Sequence, residues 1–203
     1  MKNIANILNN NGVVLSATDT VYGLLANANS PEAIEKIYAI KNRNNSKPLA
    51  IFCKNVEQIK QVAEFSTATE KLLSSLLPGT FTFILNSKKE SNISLIKDFQ
   101  YKTIGVRIPD SEKIQEILNL VDFPIAATSA NISNNPDTSI FAGVDKSILL
   151  AVDLILQDDC KIEKQASCVV DLTSFDKNQQ FSILRPAPSE AIFMEYLKKY
   201  HNA

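Results

Sequence analysis

Histidine is nearly absent from this chain of 203 residues, which holds a single one, His201, close to the C-terminal end. A histidine that follows YLKKY reads as a solvated cation at a helix terminus. Its isolation excludes Ser-His-Asp and Cys-His nucleophilic mechanisms and most histidine metal sites. Cysteine is almost as scarce: Cys53, Cys160 and Cys168 are too few and too scattered for a disulfide scaffold, and none stands in C-x-x-C spacing. No stretch approaches the ~20 apolar residues of a membrane span. The opening MKNIANILNNNGVVLS has neither a long apolar run nor a small-residue cleavage site. These absences point to a soluble, cytoplasmic protein without membrane contact. The formal net charge of −1 gives no broad electrostatic grip on nucleic acid, though it leaves room for a local basic cleft.

Arginine is the most informative scarcity. Of 21 basic residues three are arginines, Arg43, Arg107 and Arg185, and the rest are lysines. Wherever a generic solubilising cation would serve, the sequence uses Lys. Arginine differs in its planar fork, which grips carboxylate or phosphate through two parallel hydrogen bonds. Three forks kept against a lysine background suggest a site for an anionic ligand.

The length suits one domain, residues 1–203, with a substantial core. Residues 3–10 are expected to form a helix that Gly12 ends through its tolerance of positive φ. Val13 to Ser16 reads as a strand, followed by Thr18-Asp19-Thr20 and the apolar run around Leu24. Ser30-Pro31-Glu32 is a strong helix start, and Ile34, Ile37, Tyr38 and Lys41 keep helical spacing, which puts Lys41 at the helix end. Leu49 to Cys53 reads as a buried strand. Asn55–Ala63 and Thr67–Leu77 read as helices, the second opening on a Thr67-x-x-Glu70 capping box and stopping at Pro78-Gly79. Strands are expected at 80–85, 103–108, 124–128, 152–156, 168–172 and 181–184. Helix 111–121 and a final helix capped by Ser189 complete the set, with an exposed loop over 86–102 and turns over 131–139. Helices interleaved with strands in this order imply an α/β (α+β) layered fold with a twisted sheet, the direction of each strand pair being left open.

Four polar segments follow directly on an ordered element: Thr18-Asp19-Thr20, Lys41-x-Arg43-x-x-x-Lys47, Thr128-Ser129-Ala130-Asn131 and Arg185-Pro186. Ligands of open sheets settle beyond strand ends, where loops present such groups. Small residues at Ser129 and Ala130 would let backbone N–H groups approach an anion. Each segment also has a plain structural reading. Lys41-x-Arg43 could offset a helix dipole, Ser129 and Asn131 could close a turn, Thr18-Asp19-Thr20 could cap one, and Arg185 could pair with Asp171.

Together the segments TDTVYGLLANA, KNRNNSKPLAIF, LLPGTFTFIL, TIGVRIPDS, ATSANIS, SCVVDLT and ILRPA closely resemble the YrdC/TsaC family of threonylcarbamoyl-AMP synthases, in order from about Gly12 to Pro188. The resemblance implies a YrdC-like fold, a twisted, mixed open sheet flanked by helices. It implies conversion of L-threonine, bicarbonate or CO2, and ATP into L-threonylcarbamoyl-AMP and pyrophosphate. Partner proteins would then transfer the threonylcarbamoyl group to tRNA adenosine beside the anticodon. By position, Lys41, Arg43 and Arg107 match catalytic residues. Arg43, Lys47, Thr103, Arg107, Ser129, Asn131 and Arg185 match the ATP site, and Thr20, Phe52, Ala127 and Ser167 match the threonine pocket. Mg2+ would arrive with ATP and need no protein ligand.

The chain departs from the family pattern at Ala17, where Pro is usual, at Asp158 and Asp159, where glycines are usual, and at Cys168, where Thr is usual. Cys168 reads as a small buried hydrophobe. A competing reading is a non-catalytic RNA-binding or ribosome-assembly factor on the same fold, with weak RNA contact as a side activity of the enzyme. The charge balance and the lack of aromatics beside the basic groups weigh against it as the main role.

Overall fold

The computed structural model describes residues 2–157 and 165–201. Its strands are β1 (Val14–Ala17), β2 (Tyr22–Asn27), β3 (Ala50–Phe52), β4 (Ala63–Glu64), β5 (Phe81–Ser87), β6 (Thr103–Arg107), β7 (Ile125–Ser129), β8 (Leu154–Leu156), β9 (Cys168–Asp171) and β10 (Ser182–Arg185). They form one mixed sheet in the order β10-β9-β5-β6-β3-β7-β2-β1-β8, with β4 paired to the far end of β5. The pairs β1/β8, β3/β6 and β5/β9 are parallel and the others antiparallel. Sequence-adjacent strands are often spatially separated, so chemistry carried by distant segments can meet on one face.

The helices start where their caps place them. Ser30 accepts from the Ala33 amide at 3.1 Å and opens α2 (Pro31–Ile40), with Pro31 in the first turn, and Lys41 is its C-terminal cap. Asn55 opens α3 (Val56–Val62) by accepting from Gln58 N at 2.8 Å. The expected Thr67-x-x-Glu70 box is shifted by one residue. Ser66, not Thr67, caps α4 (Thr67–Leu76), and Glu70 pairs with Lys60 at 2.7 Å instead of reaching back to the cap. Gly12 also departs from expectation. The left-handed residue that ends α1 (Lys2–Asn9) is Asn11, with φ 60°, and no glycine has positive φ among the described residues. Gly12 is needed for room: a Cβ there would lie 2.4 Å from Ile7 Cγ2.

Residues 86–102 are not an exposed loop. Within them α5 (Ser94–Lys97) buries Ile93, Leu95 and Ile96, and the Ser94 amide donates to Ala28 O at 2.9 Å. Phe99 packs on Tyr38 with ring centroids 5.9 Å apart. Ile93, Leu95 and Ile96 are too few to show a helical period, so burial here comes from tertiary contact rather than pattern. Beyond β7 the chain adds a 3-10 turn (Phe141–Gly143) and α7 (Lys146–Ala151), for which periodicity gives no assignment. α6 (Glu112–Asn119), α8 (Phe175–Asn178) and α9 (Glu190–His201) complete the helices of the described residues. The Ser189 hydroxyl before α9 donates to Thr80 O at 3.3 Å.

The helices divide the sheet's two faces unequally. A large core packs α2, α3, α4, α5, α7 and α9 against one face. On the other face α1 and α6 cover a smaller cluster that includes Val14, Leu25, Phe52, Ile125 and Ala127. That second face continues beyond both helices, and there it is open. Phe193 of α9, fully buried, anchors the large core through an edge-on contact with Phe181 at 5.1 Å and tilted contacts with Phe81 and Phe83.

Phe193→Ala should therefore lower unfolding free energy by about 3–5 kcal/mol, measured by urea denaturation. Leu150→Ala, at a position 88% exposed, should change it by less than ~0.5 kcal/mol. Similar losses in both variants would contradict the assigned core.

Candidate active site

The open part of the second face is floored by strand positions that alternate with core positions. Gly23 on β2, Ala50 and Phe52 on β3, Gly105 and Arg107 on β6, Thr82 and Ile84 on β5, and Ala127 and Ser129 on β7 all line one cleft of ≈ 230 Å3. Register puts Ala50 opposite Gly105 and Ala127, and Phe52 opposite Arg107. Small residues in the middle of neighbouring strands make the floor concave. A Cβ at Gly105 would meet Ile84 Cδ1 at 3.2 Å and Thr82 Cγ2 at 3.3 Å, filling the floor between them.

The three arginines, separated by more than sixty positions in sequence, all line this cleft. Each is fixed differently. Arg107, 4% exposed, pairs through Nη2 with Asp19 Oδ2 at 2.7 Å and donates from Nη1 to Thr20 Oγ1 at 3.0 Å. Its guanidinium carbon lies 5.7 Å from the centroid of the Phe52 ring. Asp19 Oδ2 also accepts from the Asp110 amide at 3.0 Å, so the turn after β1 and the end of β6 are tied together. Arg43 donates to Lys47 O at 3.2 Å and Pro48 O at 3.0 Å, and its burial lowers its pKa. Arg185 donates to Ser167 O at 2.9 Å and Ser167 Oγ at 3.1 Å. Ser167 Oγ in turn shares a 2.7 Å hydrogen bond with Thr82 Oγ1. The alternative pairing of Arg185 with Asp171 does not form, since Asp171 accepts from Thr173 N and Oγ1 at 2.9 and 2.7 Å.

Of the residues expected at the site, Thr20, Arg43, Phe52, Arg107, Ala127, Ser129, Ser167 and Arg185 meet around the cleft. Lys41, Lys47, Thr103 and Asn131 are not among its lining residues. Thr103 sits one strand period beyond Gly105, at the far end of the same face of β6. Lys47 lies on the exposed rim, with Nζ 3.2 Å from Asn134 Oδ1. Lys41 is 1% exposed and beneath the site. Its ammonium donates to Ser129 O, to Asn131 O at 2.6 Å and to Asn131 Oδ1 at 2.9 Å. The Ser129 hydroxyl completes the knot by donating to Asn131 Oδ1 at 2.6 Å. Lys41 thus fixes the loop after β7 rather than facing a ligand. Burial, and next the Arg43 charge, pull its pKa down to about 8, against the opposing charge of Asp137.

Sequence reading missed Thr82, Gly105 and Asp137 as lining residues. Thr82 and Gly105 carry a usable signal, because each shares strand parity with a lining neighbour. Asp137 lies in a turn-rich segment with none. Cys168 is fully buried, and burial, then the Glu190 charge, push its thiol pKa up, which fits a packing role. Cys160, Asp158 and Asp159 lie outside the described residues. Among the described residues no group of three or more His, Cys, Asp or Glu could hold a metal ion, and no helix is long and apolar enough to cross a membrane.

Known proteins share this arrangement of segments. The Sua5/YciO/YrdC family model, which carries the description telomere recombination, matches residues 6–187. The chain is 35% identical over 161 residues to a Methanocaldococcus jannaschii protein provisionally named threonylcarbamoyl-AMP synthase, covering 79% of this chain and 74% of that one. It is 32% identical over 199 residues to the threonylcarbamoyl-AMP synthase of Bos taurus, covering 91% and 68%. The crystal structure of Pyrococcus abyssi Sua5 complexed with L-threonine matches with a TM-score of 0.79 at 29% identity, over 93% of this chain and 54% of that one. The chain therefore spans about half the length of that structural neighbour.

Two outcomes follow from the buried charges. Asp19→Ala would strand the Arg107 cation and should cost about 3–5 kcal/mol of stability, most of it regained in Asp19→Ala/Arg107→Met; equal losses in single and double variants would contradict the pairing. Lys41 has a folded pKa below its ordinary 10.5. Above pH 8 the folded chain releases this proton while the unfolded chain keeps it, so stability should rise with pH toward 10.5, by at most about 3 kcal/mol. Urea midpoints of wild type and Lys41→Met should converge or cross over that window, and a pH-independent difference would contradict the burial effect.

Proposed function

Because the chain belongs to the Sua5/YciO/YrdC family, we propose that it is an enzyme, a threonylcarbamoyl-AMP synthase of the nucleotidyltransferase type. The observation that carries the reading is the meeting of Arg43, Arg107 and Arg185 at one cleft that also presents hydroxyls and a small apolar patch. In the first step the threonine amine attacks the carbon of CO2, forming an N–C bond as one C=O π bond opens onto a carbamate oxygen and the amine proton passes to solvent base. From bicarbonate the C–OH bond breaks instead, and the hydroxide leaves with that proton as water. In the second a carbamate oxygen attacks the α-phosphorus of ATP, and the bond to the bridging oxygen of pyrophosphate breaks.

Neither step needs an enzyme nucleophile, which suits a chain with one terminal histidine. Both need two anions brought together and the charge that develops on departing pyrophosphate compensated. Arg43 and Arg185, with Lys47 on the rim, supply cationic donors at opposite sides of the cleft. Arg107 shares its charge with Asp19 and holds Thr20 in place for threonine. Phe52 and Ala127 offer the apolar wall that a threonine methyl requires, and Ser167 presents its hydroxyl from the β9 side of the same cleft, beside Thr82 and Arg185. Ser129, Asn131 and Thr103 belong with the nucleotide. Lys41 is a positioning residue that acts through Ser129 and Asn131.

Magnesium, when bound with ATP, neutralises part of the triphosphate charge. That ion would be held mostly by phosphates and water. A reactive mixed anhydride of this kind calls for a downstream protein that transfers its acyl group, here to tRNA in the cytoplasm.

Pyrophosphate release should require threonine and bicarbonate together, with threonylcarbamoyl-AMP found by mass spectrometry; release with neither substrate, or none with all, would overturn the reading. Arg107→Lys should lower kcat/KM by about 10–100-fold, equivalent to ~1–3 kcal/mol, because an ammonium lacks the planar fork whose two terminal nitrogens reach Asp19 and Thr20 separately. Unchanged kcat/KM would remove Arg107 from the site's machinery.

A further inference from the structure

We propose that Asp137 makes this site select the magnesium complex of its nucleotide over the bare triphosphate, an inference that rests on the nucleotide reading above and deepens it. Among the described residues that line the cleft, Asp137 supplies the sole carboxylate. The other acid nearby, Asp19, is buried and engaged by Arg107 and the Asp110 amide. Asp137 is exposed at the rim, on a segment held at both sides. The Asn131 side-chain amide donates to Asn135 O at 2.5 Å, and the Tyr22 amide donates to Thr138 O at 2.9 Å.

A carboxylate here works against the site's evident purpose, since it lines the same cleft as three guanidinium groups gathered for an anion. Its field reaches both Arg43 and Lys41, favouring their charged forms. A bare triphosphate brings about two more negative charges than its magnesium complex, so a fixed carboxylate repels the bare form about twice as strongly. The cations still attract both forms, and the carboxylate widens the gap between them. Waters around a magnesium ion can also donate outer-sphere hydrogen bonds to a carboxylate, whereas bare phosphate oxygens have no proton to donate. Both effects favour the complexed nucleotide.

Calorimetric titration of ATP with EDTA, and of ATP with excess Mg2+, into wild type, Asp137→Asn and Asp137→Glu tests this. In Asp137→Asn bare ATP should tighten by about 3–10-fold more than the magnesium complex does, and the difference should shrink at high salt. Asp137→Glu should keep the wild-type ratio. An unchanged ratio in Asp137→Asn, or its loss in Asp137→Glu as well, would overturn the proposal and leave the nucleotide reading standing. Failure of the wild type to bind either form would overturn both.

Discussion

Three guanidinium groups line one cleft with the Lys41 ammonium buried beneath it, and the site depends on each cation being held by oxygen atoms of its own chain. Guanidinium and ammonium groups crowded into a cleft repel one another and resist leaving water. The chain resolves this with a separate anchor for each. Arg107 has a buried carboxylate, Lys41 has the oxygens of the 129–131 loop, Arg43 has the carbonyls of Lys47 and Pro48, and Arg185 has Ser167. In Arg43 and Arg185 these anchors engage Nε and Nη2, which leaves part of each fork for a ligand. The geometry is therefore in place before any anion arrives, which is what preorganised charge stabilisation requires.

The same logic explains why the cleft lies where it does. α1 and α6 cover the second face only over Val14, Leu25, Ile125 and their neighbours. Past that cover, large apolar residues would be stranded in water. The sequence instead places glycine, alanine and hydroxyl residues at most of the matching positions of β2, β3, β5, β6 and β7, with Phe52, Ile84 and Arg107 between them. Strand order then matters. β5 and β6 bring Thr82, Gly105 and Arg107 beside Phe52, while β9 and β10 bring Ser167 and Arg185 to the same floor from the far end of the chain.

Much of this was legible beforehand, for identifiable reasons. The arginines stood out because lysine fills every other basic position, and their neighbours were small and polar. Helix starts were legible where a side chain caps them, as at Ser30, and slipped by one residue where Ser66 and Thr67 compete for the same role. The buried segment around Leu95 was illegible, since three apolar residues, Ile93, Leu95 and Ile96, inside a polar stretch carry no period. Lys41 illustrates a different limit. Its position at a helix end beside Arg43 suggested contact with a ligand, but nothing in local pattern reveals that its ammonium is capped by a loop 88 residues away. Gly12 was the right residue for the wrong reason, room rather than φ.

The scarcity of arginine makes the convergence of the three forks directly measurable. With three arginines in the chain, a spectrum of Nε–Hε groups should show three resonances, assignable by single substitution. Titration with a non-hydrolysable ATP analogue and Mg2+ should shift all three with one common dissociation constant. If the analogue binds and moves a single resonance, or none, the three forks do not surround one ligand and the account is wrong.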